Sequence, residues 1–241
     1  PMNECAHYTQ KELPVHPYIV GAFLGCGYID SETENDYLMF STNEEDIVNR
    51  VAGLLKGKTL KMPKNLWIVT DENGRILTRT EVFRDLSEVS TVPRDRFIPR
   101  IYMNASKEQR IWLLKGFMDA RGLVGNKYGY SITFYSDNEV LCNDVADLTQ
   151  GLGFYTFRKE IQNKQTKKKA GIVQGQRSYM MAFYVDEEDF EQCFTLQSKL
   201  QMMMDNRDLP LNDLEGDIAI TRIRKLGDCP QRCIMVDNAE H

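Results

Sequence analysis

A shift of 95 residues lays two separate parts of this chain onto two others, and that repeat constrains the fold more than any other feature of the sequence. "HPYIVGAFLGCGY" (16–28) meets "IWLLKGFMDARGL" (111–123), so Gly21 falls on Gly116 and Gly27 on Gly122. At the same offset "FSTNE" (40–44) meets "YSDNE" (135–139). Two blocks on one ungapped offset read as a tandem duplication folded into a pseudo-symmetric pair.

Each copy carries the same succession of patterns. An apolar helix with small residues (19–25; 113–120) leads into β-prone sequence, "DYLMFS" in one half and "YGYSITFYS" in the other. Ser41 or Ser136 with the following Asn is placed to cap a second helix, "NEEDIVNRVAGLL" or "NEVLCNDVADLTQGL". More β-prone sequence follows: "NLWIVTDENGRILTRTEVF" with a turn at Glu72-Asn73-Gly74, and "FYTFRKEI" and "RSYMMAFYV" split by a basic loop. The expected fold is α+β, with two αββαββ units, 14–108 and 109–205, each forming an antiparallel sheet. Gly costs a helix interior about 0.5–1 kcal/mol relative to Ala. Gly21, Gly25 and Gly116 therefore point to two leading helices packed with close backbones, their C-termini side by side. Phe23, Phe117, Trp112 and Phe183 read as core. His7, His16 and His241 are isolated, with His16 at the start of the first helix, and "DEEDFEQ" (186–192) reads as a solvated helix start.

Composition sets the class. Charged residues at 27% and hydrophobics at 42% are those of a globular chain. There is no apolar run of the roughly 18–20 residues a membrane span needs, and no secretion signal is expected. The six cysteines complete no zinc pattern and are expected as reduced thiols in a bacterial or phage-infected cytoplasm. The net charge of −5 is unevenly distributed. Residues 56–84 carry seven basic and three acidic side chains and residues 158–177 seven and one, which leaves −15 for the rest. Either basic island can be a solvated hairpin or a surface for a polyanion.

The two repeated segments resemble the paired motifs of LAGLIDADG homing endonucleases. "IVGAFLGCG" is similar to "LLGLLLGDG", and "LKGFMDARG" to "LQGLMDTDG", as in phage or bacterial inteins. "RFIPRIYMNASKEQRIW", ahead of the second motif, and "ITFYSDNEVLCNDVADLTQGLGF", after it, extend the likeness over about 14–200. "ITRIRKLGDCPQRCIMVDNAEH" looks like the closing β-rich segment of an intein splicing domain, which makes 216–241 a third expected region. The splicing nucleophile block, Thr-x-x-His and terminal His-Asn are missing from the sequence, so splicing is not expected of this chain.

The resemblance implies a saddle of two sheets laid along duplex DNA, and a cleavage centre of two acids holding divalent metal. Those acids map to Cys26 and Arg121. A neutral thiol is a poor Mg²⁺ ligand, and a guanidinium puts fixed positive charge where a cation would sit. Asp119 lies about 200° around the helix from Arg121 and is expected to face another way; the family motif has the same acid beside its catalytic one, which implies a structural role. Asp30 and Glu32, in the loop after the first helix, are candidates to reach the axis, with nothing comparable to replace Arg121. No cofactor is expected, Mg²⁺ being the alternative if cleavage survives.

Base reading would fall to polar members of the β-prone stretches: Thr70, Arg75, Thr78 and Arg79 in one half, Lys127, Tyr128, Ser131 and Thr133 in the other. Phosphate contacts would come from Lys58, Lys61 and Lys64, and from Arg158, Lys159, Lys164, Lys167, Lys168, Lys169 and Arg177. The expectation is a monomeric, sequence-specific double-stranded DNA binder that no longer cuts. An active metal-dependent endonuclease and a protein-interaction or structural module are the alternatives.

Overall fold

Helix α1 (Pro17–Cys26) is buried on every side, all ten residues of it, so it can only be a central element. His16 caps it, its Nδ1 accepting from the Tyr18 amide at 3.2 Å. The chain then runs through β1 (Gly27–Tyr28), β2 (Met39–Ser41), α2 (Glu45–Leu54), β3 (Lys58–Met62), β4 (Leu66–Thr70) and the short α3 (Arg79–Val82). The computed structural model describes residues 12–28, 35–84, 95–125, 131–162, 166–168, 171–173 and 177–205. The expected region 216–241 lies outside them.

The second half opens with α4 (Arg100–Met103) and α5 (Lys107–Arg121), the latter started by a Ser106–Gln109 capping box. It continues through β5 (Leu123–Gly125), β6 (Ser131–Ser136), α6 (Glu139–Gly151), β7 (Tyr155–Gln162), a small hairpin β8 (Thr166–Lys168) and β9 (Gly171–Val173), then β10 (Arg177–Tyr184). Helices α7 (Phe190–Cys193) and α8 (Gln197–Asp205) follow, with a 3₁₀ turn at Glu187–Asp189 before them. The two sheets have the same order, β1-β2-β4-β3 and β5-β6-β10-β7, all antiparallel. The architecture is α+β, with two αββαββ units around one helix pair and a pseudo-two-fold between them. No helix among the described residues is long and apolar enough to cross a membrane.

Helices α1 and α5 touch backbone to backbone. A Cβ on Gly21 would meet Leu113 O and lie 2.8 Å from Phe117 N. A Cβ on Gly116 would meet Tyr18 O and lie 2.9 Å from Ala22 N. The two sets of neighbours are the same residues under the 95-residue shift. One hydrophobic cluster spans both units, joining Phe23 and Phe40 of the first to Phe117, Phe134 and Phe183 of the second. Trp112, expected as core, is only partly buried and lies edge-on to His16 and Tyr18.

Beyond the helices the repeat changes register. Gly27 pairs with Phe40, and the ladder from Leu123–Thr133 brings Gly122 opposite Phe134, an offset of 94 in the second strand. Phe23–Phe40 and Phe117–Phe134 are the matching ring contacts. The buried faces of α2 (Ile47, Val48, Val51, Ala52) and α6 (Leu141, Cys142, Val145, Ala146) keep that offset. The connection before the second strand is one residue shorter in the second unit, so Thr42-Asn43-Glu44, not Ser41-Thr42-Asn43, matches Ser136-Asp137-Asn138. The capping expectation holds on one side only. Asn138 Oδ1 accepts from the Leu141 amide, whereas α2 starts at Glu44 without a side-chain cap.

Candidate functional site

The last turn of any helix leaves carbonyls without intrahelical partners and the negative end of the dipole exposed. Here each motif helix meets a cation from the end of its own unit. Arg96 donates to Leu24 O at 3.1 Å and Gly27 O at 2.7 Å. Lys199, on α8, donates to Asp119 O at 2.7 Å and Gly122 O at 2.8 Å, and also to Met118 O at 2.7 Å. Leu24 and Gly27 become Asp119 and Gly122 under the repeat, so the two clamps hold equivalent carbonyls. Each cation also lies over a ring, Arg96 above Phe23 and Lys199 above Phe194, both at 5.3 Å. The Arg96 Nε is buried without a hydrogen-bond partner among the described residues.

Cys26 and Arg121 end the two helices at this centre, as expected. Burial pushes the Cys26 thiol up to about 12, against the pull of Arg96, Arg121 and Lys199, so it stays neutral. Burial pushes Arg96 down to about 10, with Cys26 opposing and Arg121 assisting. Arg121 is exposed and has no ion-pair partner among the described residues. It lines a cleft of about 550 Å³ with Lys199, Leu123 and Tyr135 of the second unit and Ser41 to Glu44 of the first. Arg121 and Lys199 give the cleft its basic character, with Glu44 and the buried Asp119 also in its lining.

This donor set does not fit a divalent metal. Among the described residues no three His, Cys, Asp or Glu side chains converge. Asp119 is turned away and buried, 1% exposed. It accepts from Tyr18 Oη at 2.9 Å, the Thr195 amide at 2.9 Å, the Leu196 amide at 3.3 Å and, through a short contact, Thr195 Oγ1. It holds α5 to α1 and to the entry of α8. Asp30 and Glu32 lie outside the described residues.

Lys199 gives this centre a pH signature. Burial pushes it down to about 8, against Asp119, Glu44 and Cys26. Its folded value lies below the unfolded one, so the unfolded chain holds the extra proton between about pH 8 and about 10.4. This group then makes the fold gain stability as pH rises through that window. The buried thiols Cys26, Cys142 and Cys193, raised by burial, pull the other way above about pH 9, so the readout is a difference. By urea unfolding the chain should gain stability relative to Lys199→Gln as pH rises through the window; a constant difference would remove Lys199 as a source.

The expected DNA contacts are sorted by face. Thr70 is 7% exposed with its hydroxyl on Lys58 O and Asp71 O, and Ser131 is 1% exposed, so neither reaches a base. Thr78 caps α3, and Arg79 is in that helix, paired with Asp36; the stretch expected as strand ends in a helix there. Arg75 is held by Asp71 and Glu81. Lys61 lies on the helix side over Trp67, at 4.8 Å. Arg158 pairs with Met181 on the α6 side, and Arg177 bridges Glu160 at 3.5 Å. Lys58, Lys64 and Lys159 are exposed, and Thr133 is half-buried on the open face of its sheet. Lys127, Tyr128, Lys164 and Lys169 lie outside the described residues; Lys167 and Lys168 fall on β8.

Two features had no sequence expectation. The clamping pair Arg96 and Lys199 are 103 residues apart, so the 95-residue repeat does not couple them. The open faces, away from α2 and α6, are apolar rather than polar: Leu60 and Met62 on the first sheet, Tyr135, Tyr155 and Phe157 on the second, all exposed.

No protein-family model matches the chain. The Replicative DNA helicase DnaB of Mycobacterium intracellulare is 26% identical over 233 residues, which cover 96% of this chain and 33% of that protein. The chain thus spans about a third of the length of that relative. Among solved structures, mesophilic variants of the homing endonuclease I-DmoI give a TM-score of 0.48 at 11% identity, covering 80% of this chain and 97% of theirs. Full-length DUF199/WhiA from Thermatoga maritima gives 0.41 at 10% identity, covering 81% and 61%.

Proposed function

We propose that the chain is a LAGLIDADG-type module of intein origin that binds double-stranded DNA in a sequence-dependent way and does not cut it. The observation that carries this reading is the charge at the paired helix ends. Where the sequence resemblance calls for two acids and metal, the chain has a neutral thiol, an exposed guanidinium and two clamped cations. Such a centre attracts a phosphate and repels Mg²⁺. An intein origin is supported by the match to one third of a much longer protein, as an inserted segment would give. A tandem repeat supplies its own pseudo-dimer, so the working form is a monomer in the cytoplasm.

Duplex contact in this reading runs through Lys58, Lys64, Lys159 and Arg121 on phosphates, with Thr133 and the aliphatic open face of the first sheet, Leu60 and Met62, against base edges and thymine methyls. Repeated selection from random duplexes at moderate salt tests it. A recovered consensus, with affinity falling steeply with salt, supports it; no enrichment sinks it. Arg121→Ala should shallow the salt slope by about one counterion. Unchanged affinity and slope would remove Arg121 from the phosphate contacts.

A further inference from the structure

The open face of the second sheet is built unlike that of the first. Register and burial define it: Ile132, Phe134, Met181 and Phe183 are buried toward the helices, and the Thr156 hydroxyl reaches Thr149 on α6 at 2.9 Å. Their alternates therefore point the other way. Tyr135, Met180 and Lys159 form one cross-strand rung, Thr133, Ala182 and Phe157 the next, and Tyr184 and Tyr155 the third, where their ladder partner Ser131 is covered. Tyr135 is 47% exposed, Tyr155 57% and Phe157 46%. Tyr155 and Tyr184 lie ring on ring, 5.8 Å apart and tilted by 34°. Thr133 and Ala182 make a low floor between Phe157 and the β5 side of the sheet. On the first sheet the positions that match Tyr135, Tyr155 and Phe157 in the ladders are Ser41, Lys58 and Leu60, none of them aromatic.

Charge selects the partner for these rings. Lys159 is exposed on this face, and no carboxylate lies on it among the described residues of the four strands. Arg121 lines the same cleft as Tyr135. Successive same-face residues on a strand are about 7 Å apart, twice the 3.4 Å rise of stacked bases, so neighbouring rings each accept one base of a stretched strand. A duplex shows only base edges in its grooves, whereas a single strand offers the π-faces that aromatic rings bind.

We propose that this face binds single-stranded nucleic acid, with bases stacked on Tyr135, Tyr155 and Phe157 and phosphates met by Lys159 and Arg121. The proposal goes beyond duplex binding and stands without it. The test is anisotropy of labelled oligo-dT and oligo-rU of about 12 nucleotides, beside a duplex of that length, titrated with the full chain. Both single strands are expected to bind. Tyr155→Ala with Phe157→Ala should weaken single-strand binding by on the order of tenfold or more, with duplex affinity changed less than about twofold. Phe157→Trp keeps a π-face and should retain binding, which separates stacking from loss of fold. Unchanged single-strand affinity in the double variant, or equal loss on the duplex, overturns the proposal. So does a double variant that loses only self-association in sedimentation, because the face would then join copies of the chain. An absent duplex consensus with intact single-strand binding defeats the duplex reading alone.

Discussion

Gly116→Ala and Gly53→Ala are expected to shift stability in opposite directions, although both replace a helical glycine by the best helix former. At Gly53, on exposed α2, nothing lies within 4 Å of an added Cβ. The propensity gain of about 0.5–1 kcal/mol should appear there in full. At Gly116 the new methyl meets the Tyr18 carbonyl and the Ala22 amide of α1, both backbone. Backbone cannot rotate aside as a side chain does, so α1 and α5 must separate along their whole contact. The expected loss is about 3 kcal/mol or more, at the upper end of overpacking. For a chain of this size that lowers Tm by roughly 6–12 °C. Thermal unfolding of the two variants side by side reads the sign directly; a stabilised Gly116→Ala would mean that the helices do not touch there.

Asp119→Ala should be similarly severe, for an electrostatic rather than a steric reason. The carboxylate is buried and accepts from Tyr18, Thr195 and Leu196. Its removal leaves buried donors without an acceptor, each costing about 1–3 kcal/mol. With four donors losing one acceptor together, a net loss of about 3–5 kcal/mol is expected. Asp119→Asn should recover part of it, since an amide oxygen still accepts but its NH₂ faces donors. Urea unfolding checks both, and a loss below about 1 kcal/mol for the alanine variant would contradict the buried network.

The helix pair was legible in the sequence because glycine spacing, apolar periodicity and one offset agreed on it. The change from 95 to 94 was not, because an ungapped repeat cannot show a loop shortened by one residue when "FSTNE" and "YSDNE" resemble each other better out of register. Among the expected base readers, period-two alternation gave the faces but not which face meets the helices. Thr70 and Ser131 fell to burial and Arg79 to a helix start, while Thr133 remains on the open face. Arg96 and Lys199 were invisible as a pair, since each reaches its helix end from a segment whose length differs between the halves. The angle of Asp119 on the helix pointed it away from Arg121 and the family motif implied a structural role, for which its four donors give the reason.

The charge of the helix-end centre has one direct consequence for DNA. Duplex recovered by selection, incubated with the full chain in Mg²⁺ or Mn²⁺ and sequenced at its ends, should show binding with no new ends over a metal-free control. Metal-dependent double-strand ends at a fixed position in the bound sequence would show that acids outside Cys26 and Arg121 complete a working nuclease.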